Sequence, residues 1–182
     1  GALALLAAAV GWFVLPESLP TQKRDNRPLR AADLNPLASI SQYVRRPVIG
    51  RLLLVNALFA FVFDGNNGIA SLWLLDRFAI TPGALAILLV LGGLATALVQ
   101  GALVDRAVKR FGEKQLAMLS LVSLAVGTAA WVLVPSLAWL YPLNPLTQGV
   151  TSFIWPTMGT LLANHVGDHE QGQLSGVSTA IS

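Results

Sequence analysis

Between Arg51 and Asp76 the chain reads LLLVNALFAFVFDGNNGIASLWLL, 24 residues whose only charge is Asp64, close to their midpoint. A hydrocarbon core about 30 Å thick is crossed by about 20 mostly apolar residues in an α-helix. This stretch is therefore predicted to span a bilayer with some tilt. Three further complete runs follow at about 82–103, 116–134 and 137–164. Two more are cut: residues 1–15, and a run that opens near Gln173 and is still apolar at Ser182. Because Gly1 is not an initiator Met, the expectation is a piece of a longer chain that starts and stops inside spans. Composition agrees: the 182 residues are 54% hydrophobic and 12% charged, where soluble domains carry about 25% charge. A soluble globule is excluded. Residues 1–15 lack a preceding basic segment and a small-residue cleavage site, so they do not read as a signal peptide. Cysteine is absent, leaving no disulfide framework or thiolate metal site to consider.

The net charge of +3 does not mark a nucleic-acid binder, because the cations lie between the spans. Lys23, Arg24, Arg27, Arg30, Arg45 and Arg46 precede the 52–75 run, and Arg106, Lys109, Arg110 and Lys114 follow the 82–103 run. Counting spans puts these two loops on one side of the membrane. Arg77 is the only Lys or Arg in the loops of the opposite side. The positive-inside bias makes loops 16–47 and 104–115 cytoplasmic and the protein a multi-pass resident of an inner or plasma membrane. Residues 16–47 hold Pro16, Pro20, Pro28, Pro36 and Pro47 among many charges, a composition that cannot cross a bilayer. This segment is the one true linker, and 48–182 form the helix bundle after it.

Two polar stripes are candidates for a transport path. Asn56, Ala60, Asp64 and Asn67 recur at helical spacing on one face of the 52–75 run. An acid at bilayer depth costs about 2.5–3.5 kcal/mol on insertion scales, so Asp64 needs a partner or a wet cavity. Two readings stay open: Asp64 lines the path, or Gly65-Asn66-Asn67-Gly68 breaks the helix and Asp64 caps it near the outer surface. In the 137–164 run, Asn144, Gln148, Thr151 and Trp155 form the second stripe, which suits an amphipathic organic substrate or hydrogen bonding between helices. Pro142, Pro145 and Pro156 are expected to bend that helix. Gly93, Ala97 and Gly101 put small residues on one face of 82–103, where backbones can approach closely. Trp12, Trp73, Trp131 and Trp139 fall near span ends as interface anchors. His165 and His169 have ligand spacing beside Asp168, but no further ligand joins them, and no metal site is expected.

Residues 101–114 read GALVDRAVKRFGEK. Gly101 permits a close helix crossing, Asp105 suits a neighbouring helix's positive N-terminus, and Arg106, Lys109 and Arg110 pair with it or sit among headgroups. The stretch resembles the cytoplasmic motif G-x-x-x-D-R-x-x-[KR]-[RK]-x-G-x-[KR] of the major facilitator superfamily, and every fixed position matches, Gly112 included. FVLPESL at 13–19, NPLAS at 35–39 and EQGQLSG at 170–176 are similar to passages of tetracycline-resistance-type drug/proton antiporters. The resemblance covers nearly the whole chain.

It implies an all-α, polytopic transmembrane helix bundle with the major facilitator fold. Residues 1–15 would end helix 6, 16–47 form the central loop, and 48–182 hold helices 7 to 11 of the C-terminal half. It further implies proton-coupled efflux of a small organic compound by alternating access. The partners would be that compound, protons, the lipid bilayer and the N-terminal half of the same transporter, with no cofactor and no enzymatic step. Gly101, Asp105, Arg106, Lys109, Arg110 and Gly112 would belong to a cytoplasmic gate, with Asp105 capping the helix that begins near Gln173. One departure bears on substrate: 116–134 carries Ser120 and Ser123 but no carboxylate, so the resemblance does not extend to tetracycline itself. An uptake carrier for a sugar or metabolite uses the same scaffold. A non-transporting membrane scaffold or membrane enzyme is the rival of another class, and no intramembrane His, Asp or Ser cluster points to catalysis.

Overall fold

The computed structural model describes residues 5, 9–10, 36–167 and 170–181, and all regular structure among them is helical. Contacts separate Gly1–Leu34 from Asn35–Ser182, and the architecture below is that of the second unit. Most of the 1–15 span, Trp12 and the linker to residue 35 lie outside the described residues.

The elements in order are α1 (Pro36–Val44), α2 (Pro47–Phe78), α3 (Pro82–Leu98), a π-helical turn (Val99–Leu103), α4 (Val104–Phe111) and α5 (Glu113–Leu133). A 3₁₀ turn (Leu137–Trp139), α6 (Leu140–Thr151), α7 (Ile154–Ala163) and α8 (Gln171–Ala180) complete the unit. Pro47 and Pro82 open α2 and α3, where a missing N–H costs nothing, and Thr81 Oγ1 accepts the Ala84 N–H at 3.3 Å as a cap. Among the described residues, three helices are long and apolar enough to cross a membrane: α2 with 32 residues, Pro82–Phe111 with 30 and α5 with 21. Segments expected as loops are partly helical. The end of the 16–47 linker forms α1, and most of 104–115 is α4, joined to α5 through Gly112 alone.

Of the two places where the sequence raised a break or bend, only the second has one. Gly65-Asn66-Asn67-Gly68 does not interrupt α2, which ends only at Ala79 in the left-handed conformation (φ 48°). A glycine costs a helix about 1 kcal/mol, less than leaving backbone groups unbonded in hydrocarbon, and Asn67 Nδ2 bonds back to the Phe63 carbonyl at 2.8 Å. The 137–164 run, by contrast, divides at Ser152 and Phe153. Pro142 and Pro156 each stand in a first turn, so only Pro145 is internal, and α6 passes through it. At the division the Phe153 N–H bonds the Val150 carbonyl at 3.4 Å, and Ser152 Oγ takes the Gly149 carbonyl at 2.7 Å. Pro156 has no N–H to continue the ladder from the Ser152 carbonyl.

Helix α6 is the centre of the packing, seated between α3 and α5. A Cβ on Gly92 would lie 2.9 Å from Asn144 Nδ2, and one on Gly127 2.7 Å from Thr147 Cγ2. These two glycines admit α6 to backbone range, where Asn144 Nδ2 donates to the Leu88 carbonyl at 2.7 Å and Ser123 Oγ to the Thr147 carbonyl at 3.3 Å. The stripe expected to do this does not: a Cβ on Gly93 or Gly101 would meet nothing within 4 Å, and Gly93, Ala97 and Gly101 are exposed.

Three apolar clusters stack along the bundle. Tyr43, Ile49, Leu53, Leu162, Leu174 and Val177 join α1, α2, α7 and α8 near the basic end. Phe59, Ala117, Leu124, Ile154 and Met158 fill the middle, and Leu74, Ile80, Leu88, Val134 and Leu140 close the far end. There Trp73 packs on Phe78 and Trp131, with the Arg77 guanidinium 5.9 Å from the Trp73 ring centroid. The glycine seats give a direct test. Gly127→Val should destabilise the purified protein by about 1–3 kcal/mol through overpacking against Thr147, whereas Gly93→Ala should leave the thermal midpoint unchanged. Equal effects of the two would refute this packing.

Candidate functional site

Along α2, α3 and α6 the helices leave a cavity of about 270 Å³, walled by apolar side chains with Asn67, Ser71, Thr96, Asn144 and Gln148 among them. Asn144 is buried and its amide nitrogen is committed to the Leu88 carbonyl, so it fixes α6 on α3. Gln148, one turn along the same face, borders the cavity, and its side chain makes no hydrogen bond among the described residues. Asn67 also borders the cavity, although its amide nitrogen is held by its own helix. On the other side of Asn144 and Gln148, a recess of about 30 Å³ is lined by polar groups of α2, α5 and α6, including Asn66, Ser123, Thr128, Thr147 and Thr151.

The predicted stripe on α2 divides. Asn56 is buried and donates to Ser178 Oγ of α8 at 3.3 Å, so it joins helices. Asp64 stands inside unbroken α2, exposed and with no hydrogen bond or ion pair among the described residues. The capping alternative for Asp64 fails because the helix continues for fourteen residues past it, to Phe78. Trp155 does not continue the Asn144 and Gln148 stripe, since the break before α7 changes the helical phase. It meets Phe59 and Phe63 edge-on, with ring centroids at 5.5 and 5.9 Å, while those two rings stack at 5.4 Å. Such pairs add about 0.5–1.5 kcal/mol each beyond burial.

The basic motif starts in the π-helical turn that holds Gly101 and continues on α4. Arg106 Nη1 bonds the Ala102 carbonyl at 3.1 Å, and the Arg110 guanidinium lies 5.5 Å from the Phe111 centroid. Lys109 points outward from the same exposed helix. Gly112 has φ 78°, a conformation that favours glycine, which explains the last glycine of the motif: it lets α4 turn directly into α5. Asp105 is exposed and makes no hydrogen bond or ion pair among the described residues, and it does not cap the helix beginning at Gln171. Glu170 stands at that helix's N-terminus, without a side-chain capping bond, its carboxylate turned to Arg46.

Glu170 forms the one ion pair among the described residues, a two-pronged bond to Arg46 at 2.7 and 2.9 Å. The Arg46 guanidinium also lies 5.1 Å from the Tyr43 ring centroid. Tyr43 is buried, and its hydroxyl donates to Gln173 Oε1 at 3.2 Å. This clip ties the end of the linker to the start of α8 across 124 positions of sequence, and no local pattern pointed to it. The hydrogen bond from Arg46 holds the Glu170 carboxyl below its ordinary range. Burial, then the Glu170 charge, pushes the Tyr43 phenol up. His165 Nδ1 lies 2.7 Å from the Leu161 carbonyl, Asp168 and His169 lie outside the described residues, and no metal-ligating group of three occurs among those described.

A group with a lowered folded value contributes stability above its ordinary value and loses it as pH falls through the lowered one. The clip is therefore closed at neutral pH and opens in acid, below the ordinary glutamate value of 4.5. Hydrogen exchange of 171–176 should be protected at pH 7 and lose protection on acidification. In Glu170→Gln that segment should exchange fast at both pH values, and equal protection in the variant at pH 7 would dismiss the clip.

The chain is 29% identical over 195 aligned positions to the tetracycline resistance protein, class C, of Escherichia coli, covering 97% of this chain and 46% of that protein. It is 25% identical over 125 positions to multidrug resistance protein 2 of Bacillus subtilis (strain 168), covering 69% of this chain and 31% of that one. The chain thus spans less than half the length of these relatives. No solved structure matches it. The family model of the major facilitator superfamily matches residues 1–182, and the chain belongs to that superfamily.

Proposed function

We propose that the chain forms part of a carrier, not an enzyme, that exports small amphipathic organic compounds from the cell in exchange for protons, by alternating access. The observation that carries this reading is the α2/α3/α6 cavity of about 270 Å³. Apolar walls with a few placed polar groups bind drug-sized ligands, and Gln148 offers both a donor and an acceptor. The names of the two relatives, a tetracycline resistance protein and a multidrug resistance protein, support export over uptake of a metabolite. Tetracycline is not the proposed substrate, since α5 carries no carboxylate between Glu113 and Leu133. The N-terminal half of the transporter would face the exposed small-residue side of α3 and complete the path.

In this reading Asp64 is the coupling group. A carboxylate within a span is retained where its charge serves transport, and beside it on α2 the small and polar residues Gly68 and Ser71 give it room for water or substrate. The motif residues on the π-helical turn and α4 form the gate on the cytoplasmic side, biasing the equilibrium between inward and outward states without touching substrate. Loops 16–47 and 104–115 are cytoplasmic, in an inner or plasma membrane.

Three variants of the intact protein test the proposal in inverted membrane vesicles energised by a pH gradient. Gln148→Ala should raise the apparent KM about fivefold, the worth of one hydrogen bond near 1 kcal/mol. Asp105→Asn should lower the maximal rate more than the apparent affinity. Asp64→Asn should abolish accumulation driven by the gradient, and normal transport by it would dismiss Asp64 as coupling group. If expression raises cellular accumulation of the same compound, the direction is uptake and the proposal of export fails.

A further inference from the structure

Pro82–Phe111 is one run of helix, but its hydrogen-bond ladder is not uniform. Up to Val99 it is α-helical and seated on α6: a Cβ on Gly149 would lie 3.4 Å from Val99 Cγ2 and 3.6 Å from Ala95 Cβ. Over Val99–Leu103 it is π-helical, and the Val104 N–H bonds the Val99 carbonyl, five residues back instead of four. Such a turn holds one residue more than an α-helical course would, and it recurs at functional sites. Where the ladder returns to the α pattern, one carbonyl is passed over. A side chain reaches into this turn, as Arg106 Nη1 donates to the Ala102 carbonyl at 3.1 Å. Neither the turn nor α4 has a buried residue, and beyond α4 the chain bends at Gly112, with φ 78°. Helix α4 is therefore a short rod with an irregular backbone at each end and no side chain in the three apolar clusters.

We propose that Val99–Leu103 is a register joint, at which α4 turns about its own axis while α3 stays fixed on α6, and that Arg106 latches the register seen here. Relaxing the turn to α-helix moves every later residue one place along, a rotation of about 100° and an advance of about 1.5 Å. Each side chain of α4 then takes the direction of the one that follows it. Half-buried Val104 and Val108 come to where exposed Asp105 and Lys109 now stand, and the Ala102 carbonyl takes the Arg106 N–H in place of the guanidinium. Gly112, which adopts either sign of φ, absorbs the rotation before α5. The joint stands apart from the gating role proposed for the motif, and its test reads structure, not transport, so either can fail alone.

Maleimide labelling of the intact protein in detergent, with any other cysteine removed, tests the register. Val108→Cys should react about fivefold faster when combined with Arg106→Ala, the population shift expected from one lost hydrogen bond. Lys109→Cys, exposed in both registers, should not change. Deleting Ala102 as well removes the extra residue with α4 left as it stands, and should restore the slow rate at Val108→Cys. A rise at both positions, at neither, or one that the deletion leaves in place overturns the joint. Hydrogen exchange of the unaltered protein decides independently, even if the variants do not fold. Turning α4 as a rod breaks the bonds of the turn and keeps those within α4, so amides 103–106 should exchange faster than 108–111. Equal rates, or the reverse order expected of a helix fraying from Gly112, would overturn it.

Discussion

Inside a bilayer a backbone N–H or C=O has no water to bond, and the structure depends on how that demand is met wherever a helix is not perfect. Helix α2 meets it by remaining continuous for 32 residues in spite of Gly65 and Gly68. The run from Leu140 to Ala163 cannot, because Pro156 withholds a donor beside Ser152, and it answers with side chains. Ser152 takes the Gly149 carbonyl, and Ser120 Oγ lies 3.0 Å from the Leu116 carbonyl and 3.1 Å from that of Val150, its single proton shared between them. The same serines that look like weak polar groups in α5 are the partners of the broken helix.

The close seating of α6 follows. Helices in lipid gain little from apolar burial against each other, so contact distance and hydrogen bonds decide which faces meet. Gly92 and Gly127 remove the Cβ atoms that would collide with Asn144 and Thr147. With α6 that near, Asn144 reaches the α3 backbone and its neighbour Gln148 is held at the cavity with its amide uncommitted. Packing and the candidate site are thus two outcomes of one approach: the residue that locks the helix and the residue that borders the cavity are a turn apart.

At the basic end a different chemistry operates, because water is present. The Arg46 and Glu170 side chains are 38% and 35% exposed, so their attraction is screened and modest. Its value is positional: with Tyr43 beneath, it sets where α8 begins relative to α1 and α2. The motif on α4 takes no part in it, its Asp105 uncommitted and its Gly112 spent on a backbone turn.

Much was legible in the sequence because it is local. Span length, the uneven placement of Lys and Arg, and the motif at 101–114 are read along one dimension, and from them came the all-helical membrane fold, the family resemblance, and the grouping of Asn144 with Gln148. Helical phase was legible only while the helix was unbroken, so Asn144 and Gln148 stayed together and Trp155 left their face at the 152–153 break. What tertiary structure alone decided was contact. Gly92 and Gly93 are adjacent in sequence and opposite in effect, since only one faces α6. Asn66 and Thr128 share a recess, and Arg46 finds Glu170, through approaches between helices that no spacing encodes. A sequence states which groups need partners; the packing of helices assigns them.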